Sequence, residues 1–183
     1  MQLHSYLFIF IYLPITLCIY FILNRYKLLL ISKIWLGIAS LCFYGLLNIK
    51  YLPLLFFSII VNYVIGWYIA QNKLDNAKTF IAIGIIFNIV FLGFFKYTNF
   101  IFTTFNEIGG FNLNKLDIVL PVGISFYTIQ QIAFLVDTYR KQTKEYNLLN
   151  YVLFVSFFPK LLLGPIVLHN EFNPQFNNIK QKY

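Results

Sequence analysis

Between Leu120 and Lys141 the sequence LPVGISFYTIQQIAFLVDTYRK is apolar enough to lie in lipid, yet it carries Ser125, Tyr127, Thr128, Gln130, Gln131 and Asp137. Laid on a helix at roughly 100° per residue, Phe126, Ile129, Ile132, Ala133 and Val136 form an apolar arc about 120° wide. Tyr127, Gln130, Gln131 and Asp137 gather opposite, with Phe134 among them. Ser125 and Thr128 fall between, where a hydroxyl can bond back to its own helix. Such a helix has one lipid face and one face that must meet protein or water. Two chemistries fit the polar face. Carboxamides can fasten helices together, each contact contributing on the order of 0.5–2 kcal/mol, or they can line a polar pathway through the bilayer. Asp137 lies close to Arg140, and a local ion pair explains it without any further role.

A second run, FVSFFPKLLLGPIVLHNEFNPQF from Phe154 to Phe176, adds to the case. Pro159 removes a helical N–H and crowds the preceding turn, and Gly164-Pro165 breaks the chain again. Neither piece is long enough to span about 30 Å of hydrocarbon. Non-helical backbone at that depth must be buried in protein or line a wet cavity. Lys160, between the breaks, either snorkels to a headgroup or holds an anionic group of a substrate. His169 follows with no positioned partner, which favours a structural role over a catalytic one.

The elements that hold these residues follow from composition. The 183 residues are 60% hydrophobic and 11% charged, with a mean hydropathy of +0.72. A soluble domain carries about a quarter charged residues, so lipid is the solvent for most of this chain. Aromatic residues reach 21%, and Tyr26, Tyr51, Tyr68, Tyr97 and Tyr139 sit near segment ends, where an amphipathic ring suits the headgroup layer. The net charge of +8 is dispersed between apolar runs rather than gathered in a stripe; it sets topology and excludes a nucleic-acid surface. Cys18 and Cys42 lie in apolar segments with no CxxC spacing, and read as small buried hydrophobes rather than a disulfide or metal site. No Lys or Arg precedes the first apolar run and no small-residue cleavage pattern ends it, so that run is expected to remain as an anchor.

Windows of about 19 residues predict spans near Ser5–Leu23, Ile34–Leu47, Tyr51–Ala70, Thr79–Phe95 and Val119–Val136. Leu28–Ile31 can extend the second past Lys33, and a mixed loop is expected from Phe95 to Asp117. A sixth apolar region, Leu148–Leu168, is interrupted by Pro159, Gly164 and Pro165. Nothing alternates with period two, so each full span is helical. The fold class expected is an all-α, polytopic integral membrane protein with about five transmembrane helices and a broken or re-entrant sixth segment. Eight Lys and Arg (Arg25, Lys27, Lys33, Lys73, Lys78, Arg140, Lys141, Lys144) follow spans one, three and five, against Lys50, Lys96 and Lys115 after spans two and four. The richer side is expected to be cytoplasmic, which places the N-terminus outside.

LPVGISFYTIQQIAFLVDTYR, followed by NYVLFVSFFPKLLLGPIVLHNEFNPQF, resembles the membrane-bound O-acyltransferase family. The likeness is to the bacterial branch of alginate O-acetylases and related cell-wall polysaccharide acetylases, with the D-alanine transfer protein of teichoic acid modification as a more distant relative. ASLCFYG (Ala39–Gly45), NYVIG (Asn62–Gly66) and GFFKYTNF (Gly93–Phe100) also look like that branch, so the resemblance covers essentially the whole chain. It implies transmembrane helices over residues 1–118 and the start of the family core over 119–183. It further implies an enzyme of a bacterial cell membrane that takes an acetyl group from a cytoplasmic thioester, acetyl-CoA or another acyl donor, towards hydroxyls of an extracytoplasmic polysaccharide. No bound cofactor is implied, and a partner protein completes delivery. Substrate-channel candidates are Ser125, Tyr127, Gln130, Gln131, Pro159, Lys160, Gly164, Pro165 and His169.

One departure stands out. The family's general-base histidine lies in a later membrane segment, whereas this chain holds only His4 and His169. His169 matches a position after the Gly-Pro-Ile motif where relatives carry His or Tyr, away from the catalytic site. Losing a general base costs roughly a hundredfold or more in rate. The expectation is that the catalytic His lies downstream of Tyr183, in a missing C-terminal half or a full-length homologue, and that these residues alone are inactive. Two other classes use the same features: a transporter or channel subunit with the broken helix as its pathway, and a non-catalytic scaffold that binds a complete enzyme.

Overall fold

The computed structural model describes residues 6–71, 74–109, 119–143, 147–163 and 172. Every regular element among them is helical. A π-helical turn, Phe8–Tyr12, leads into α1 (Leu13–Arg25). Then come α2 (Leu29–Asn48), a 3-10 turn (Ile49–Tyr51), α3 (Leu52–Gln71), α4 (Leu74–Gly109), α5 (Ile124–Tyr139), α6 (Leu148–Ser156) and α7 (Phe158–Leu163). Phe8–Arg25, Leu29–Gln71 and Asn76–Ile108 are each long and apolar enough to cross a membrane. The middle stretch is two helices, because Asn48 is extended (φ −161°, ψ 99°) and accepts a 3.2 Å bond from the Lys50 N–H. α2 and α3 have 20 residues each, about 30 Å, which matches the hydrocarbon thickness. The protein is therefore an all-α polytopic membrane protein.

Two boundaries differ from the sequence expectation. α4 continues to Gly109 instead of ending near Phe95. No Pro or Gly falls between Phe95 and Gly109. The hydroxyls of Thr98, Thr103 and Thr104 bond back to the carbonyls of Phe94, Asn99 and Phe100, so these polar residues are satisfied within the helix. At 36 residues α4 is about 54 Å long and extends past any bilayer core. α5 begins at Ile124 rather than Val119, because Pro121-Val122-Gly123 form a turn. Gly123 takes φ 72°, and its carbonyl accepts from the N–H groups of Phe126 and Tyr127 at 2.9 Å. The cysteines also differ: Cys18 and Cys42 face outward, where lipid serves a small apolar side chain as well as a core does.

Ends of alternate helices meet as a multi-pass chain requires. The Tyr51 hydroxyl donates to the Val119 carbonyl at one end, and Lys33 Nζ donates to Asn150 Oδ1 at 3.3 Å at the other. α5 is the central element, packed on α3 and α4 and also touching α6 and α7, while α2 packs on α1 and α6. Two glycines set the spacing. A Cβ on Gly66 would lie 2.6 Å from Phe134 Cε1, and one on Gly84 would lie 2.5 Å from Leu135 Cδ1, so α5 sits closer to α3 and α4 than any side chain there allows. The first helical segment is pinned by rings: Phe8, Tyr12, Phe43 and Phe158 cluster with centroids 5.0–5.9 Å apart. The Tyr12 hydroxyl also bonds the Ala39 carbonyl.

Candidate functional site

α5 presents its two faces as its periodicity requires. Ile129 is exposed, and Phe126, Ile132, Ala133 and Val136 are only partly covered, whereas Tyr127, Gln130, Gln131, Phe134 and Asp137 are all buried. Ser125 is half-buried, and Thr128 is buried with its hydroxyl outside hydrogen-bonding geometry. The amide pair is thus turned away from the lipid face.

The two amides meet different surroundings. Gln131 Oε1 accepts from Ser58 Oγ at 2.7 Å and from Asn62 Nδ2 at 3.0 Å. Asn62 and Asn88 exchange bonds, 3.2 Å in one direction and 2.5 Å in the other, and each also donates to its own helix, to the carbonyls of Ser58 and Gly84. Ser58, Asn62, Asn88 and Gln131 are all fully enclosed. They join α3, α4 and α5 in one polar knot, so Gln131 fastens helices. Gln130, one residue away, is equally enclosed, but its Nε2 has no hydrogen-bond partner. Ser58, Asn62 and Asn88 were not singled out from sequence. The signal was present, since each is a lone polar residue within an apolar run, but such residues also bond back to their own helix, and partners cannot be read from spacing.

Tyr127 points to α2, where its hydroxyl neighbours that of Tyr44. Both residues are enclosed, so the two hydroxyls face each other away from lipid. Two turns along, the Phe134 ring meets Tyr151 of α6 at 4.4 Å.

The broken segment is broken as the sequence requires. Asn147 caps α6, its side chain accepting from the Leu149 N–H at 2.9 Å. The helix stops after Ser156, and Phe157 (φ −54°, ψ 108°) turns the chain into α7, which carries Pro159 at its second position. The Phe158 N–H is directed at Ser40 Oγ, 3.4 Å away, near the middle of α2. Irregular backbone therefore lies deep within the helical assembly, where protein supplies its partner. Pro159 itself is exposed. Lys160 does not snorkel: it is 7% exposed, with Nζ 4.0 Å from the ring centre of Phe172 and 4.8 Å from that of Phe154. Its ammonium makes no hydrogen bond. Gly164, Pro165 and His169 lie outside the described residues. Among the described residues no group of His, Cys, Asp and Glu is arranged to hold a metal ion.

No family model and no solved structure matches the chain. Curated proteins do. A peptidoglycan O-acetyltransferase of Helicobacter pylori is 43% identical over 204 aligned positions, which include 97% of this chain and 39% of the relative. A Pseudomonas aeruginosa protein named "Probable alginate O-acetylase AlgI" is 35% identical over 95% of this chain and 34% of the relative. A Pseudomonas syringae pv. tomato protein of the same name is 34% identical with the same coverage. The chain spans a little over a third of the length of these relatives. Alike over almost its whole length to proteins named for O-acetylation of peptidoglycan and of alginate, this chain belongs to the membrane-bound O-acyltransferase family, in its bacterial polysaccharide O-acetylase branch.

Proposed function

We propose that the chain takes part in moving an acetyl group from a cytoplasmic acyl thioester, acetyl-CoA in the first instance, to hydroxyls of an extracytoplasmic polysaccharide. The observation that carries this reading is a coincidence. A chain 43% identical to a peptidoglycan O-acetyltransferase buries unsatisfied donors on Gln130 and Lys160, with the facing hydroxyls of Tyr44 and Tyr127, beside a helix interrupted inside the assembly. Buried donors without acceptors cost free energy, and an ionisable side chain such as Lys160 inside a membrane marks a functional site by default.

In this reading Tyr127, Gln130 and Lys160 line the route of the acyl group, with Ser125 at its margin. Gln131 acts indirectly, by holding α5 on α3 and α4. The general base is supplied from outside the described residues, and a partner protein on the far side receives or delivers the acetyl group. The N-terminus faces outward, across the cell membrane from Arg140. Peptidoglycan is the first acceptor to test, because the relative at 43% identity is named for it, with alginate second.

The test uses membranes from cells expressing the complete gene product that carries this chain. Labelled acetyl-CoA is supplied on the cytoplasmic side, with peptidoglycan or alginate as acceptor. Acetyl ester on one glycan is the expected result. The absence of label from both glycans, despite folded protein in the membrane, would rule the reading out.

A further inference from the structure

We propose that Lys160 Nζ and Gln130 Nε2 form a donor pair for the negative charge that develops on the thioester carbonyl oxygen during acetyl transfer; this rests on the acyltransferase reading above. Lys160 is 7% exposed and Gln130 is 1% exposed. Neither donor atom has a hydrogen-bond partner.

Their placement follows from two antiparallel helices. Phe134 on α5 touches Tyr151 on α6 with ring centres 4.4 Å apart. One turn back along α5 is Gln130, and one turn forward along α6 is Phe154, so both lie on the same side of that contact. Phe154 in turn carries the Lys160 ammonium over its ring, and α7, which holds Lys160, packs on α5. The lysine and the amide thus share one level of the assembly, next to the interruption at Phe157.

Several features argue against a purely structural lysine. The ammonium does not serve the backbone break, since Lys160 Nζ donates to no carbonyl there. Burying an ammonium without an acceptor is expensive. Two ring faces, at 4.0 and 4.8 Å, offset part of that cost and hold the cation in place. Rings do this without neutralising the charge, whereas a resident carboxylate would quench it. A fixed cation with unused N–H donors in a medium of low dielectric acts most strongly on a charge that appears only transiently.

The step it serves is balanced. The acceptor hydroxyl oxygen adds to the thioester carbonyl carbon, and the π electrons move to the carbonyl oxygen, which Lys160 and Gln130 then meet. The tetrahedral species collapses, the C–S bond breaks, and the hydroxyl proton ends on the departing thiolate. The products are an acetyl ester and a free thiol.

The experiment uses the complete gene product in nanodiscs, with acetyl-CoA labelled at the carbonyl carbon as probe. Two quantities are followed: transfer kinetics and the carbonyl stretch of bound donor. The variants are Lys160→Met, Lys160→Leu, Lys160→Arg and Gln130→Met, each checked for its thermal midpoint. Lys160→Met is expected to lower kcat by roughly 10²–10³-fold, to leave the donor KM within about twofold, and not to lower the midpoint. Lys160→Arg restores most of the rate, and the downshift of the bound carbonyl stretch is lost in Lys160→Met and reduced in Gln130→Met. Transfer and a carbonyl downshift that both survive Lys160→Met overturn this inference alone. So does a loss of rate that merely follows a lowered midpoint and returns in full with Lys160→Leu. A wild-type protein that neither binds acetyl-CoA nor transfers acetyl overturns the acyltransferase reading and this inference with it.

Discussion

Gln130 and Gln131 are chemically identical neighbours with different surroundings. Gln131 Oε1 receives two hydrogen bonds from α3, and through Asn62 the bonding continues to Asn88 on α4. Gln131→Leu removes an acceptor and leaves the Ser58 hydroxyl and one Asn62 bond unmet inside the assembly. A loss of about 1 kcal/mol is expected, read as a lower unfolding midpoint in detergent. Combined with Ser58→Ala the losses should fall short of additive, because the two changes abolish the same bond; strictly additive losses would show that the bond contributes nothing. The inward position of both amides was legible from the 3.6-residue period alone. Their separate partners were not, because a period states which way a side chain points and not what another helix places there. Lys160 carries the same lesson. Its sequence left open a headgroup or an anionic group of a substrate; burial removes the headgroup, and the ring of Phe172, twelve positions away, lies against the ammonium.

At the scale of elements, the closest contacts depend on glycine. At Gly66 an added methyl meets the Phe134 ring at 2.6 Å, and that ring is held by Tyr151. Gly66→Ala is expected to cost about 1–3 kcal/mol, and Phe134→Leu in the same chain to recover part of it; a Gly66→Ala protein with an unchanged midpoint would contradict the packing described. Gly84 faces the tip of Leu135, a flexible methyl, so alanine there should be tolerated better. Gly123 is a backbone case. Its φ of 72° starts α5, and Gly123→Ala should cost about 1–2 kcal/mol by the same measurement. The break at FFPK, where the chain turns at Phe157, is legible from its proline, whereas PVG before α5 sits inside an apolar window and its turn shows only in the structure. α4 was read too short because its polar stretch KYTNF resembles a loop in composition, while its threonines close their bonds internally.

At the scale of the whole molecule, alternation of helix ends places Lys27 and Lys141 on one side and Lys50 on the other. In a chain with Cys18→Ala and Cys42→Ala, a cysteine introduced at Lys50 should react with an impermeant maleimide added outside intact cells, and one at Lys141 should react only after the cells are opened. Reversed labelling would invert the proposed orientation, and labelling of both from outside would contradict the alternation of ends. By itself the sequence determined that lipid is the solvent, that the chain is helical and multi-pass, which face of α5 turns inward, and that the segment through Pro159 cannot be one rod. All of these follow from local composition and period, which the bilayer enforces wherever the helices end up. Tertiary structure alone decided which polar groups close on one another and which stay open. That choice depends on glycine-governed distances between α3, α4 and α5 and on rings brought from distant parts of the chain, and neither is encoded within any single helix.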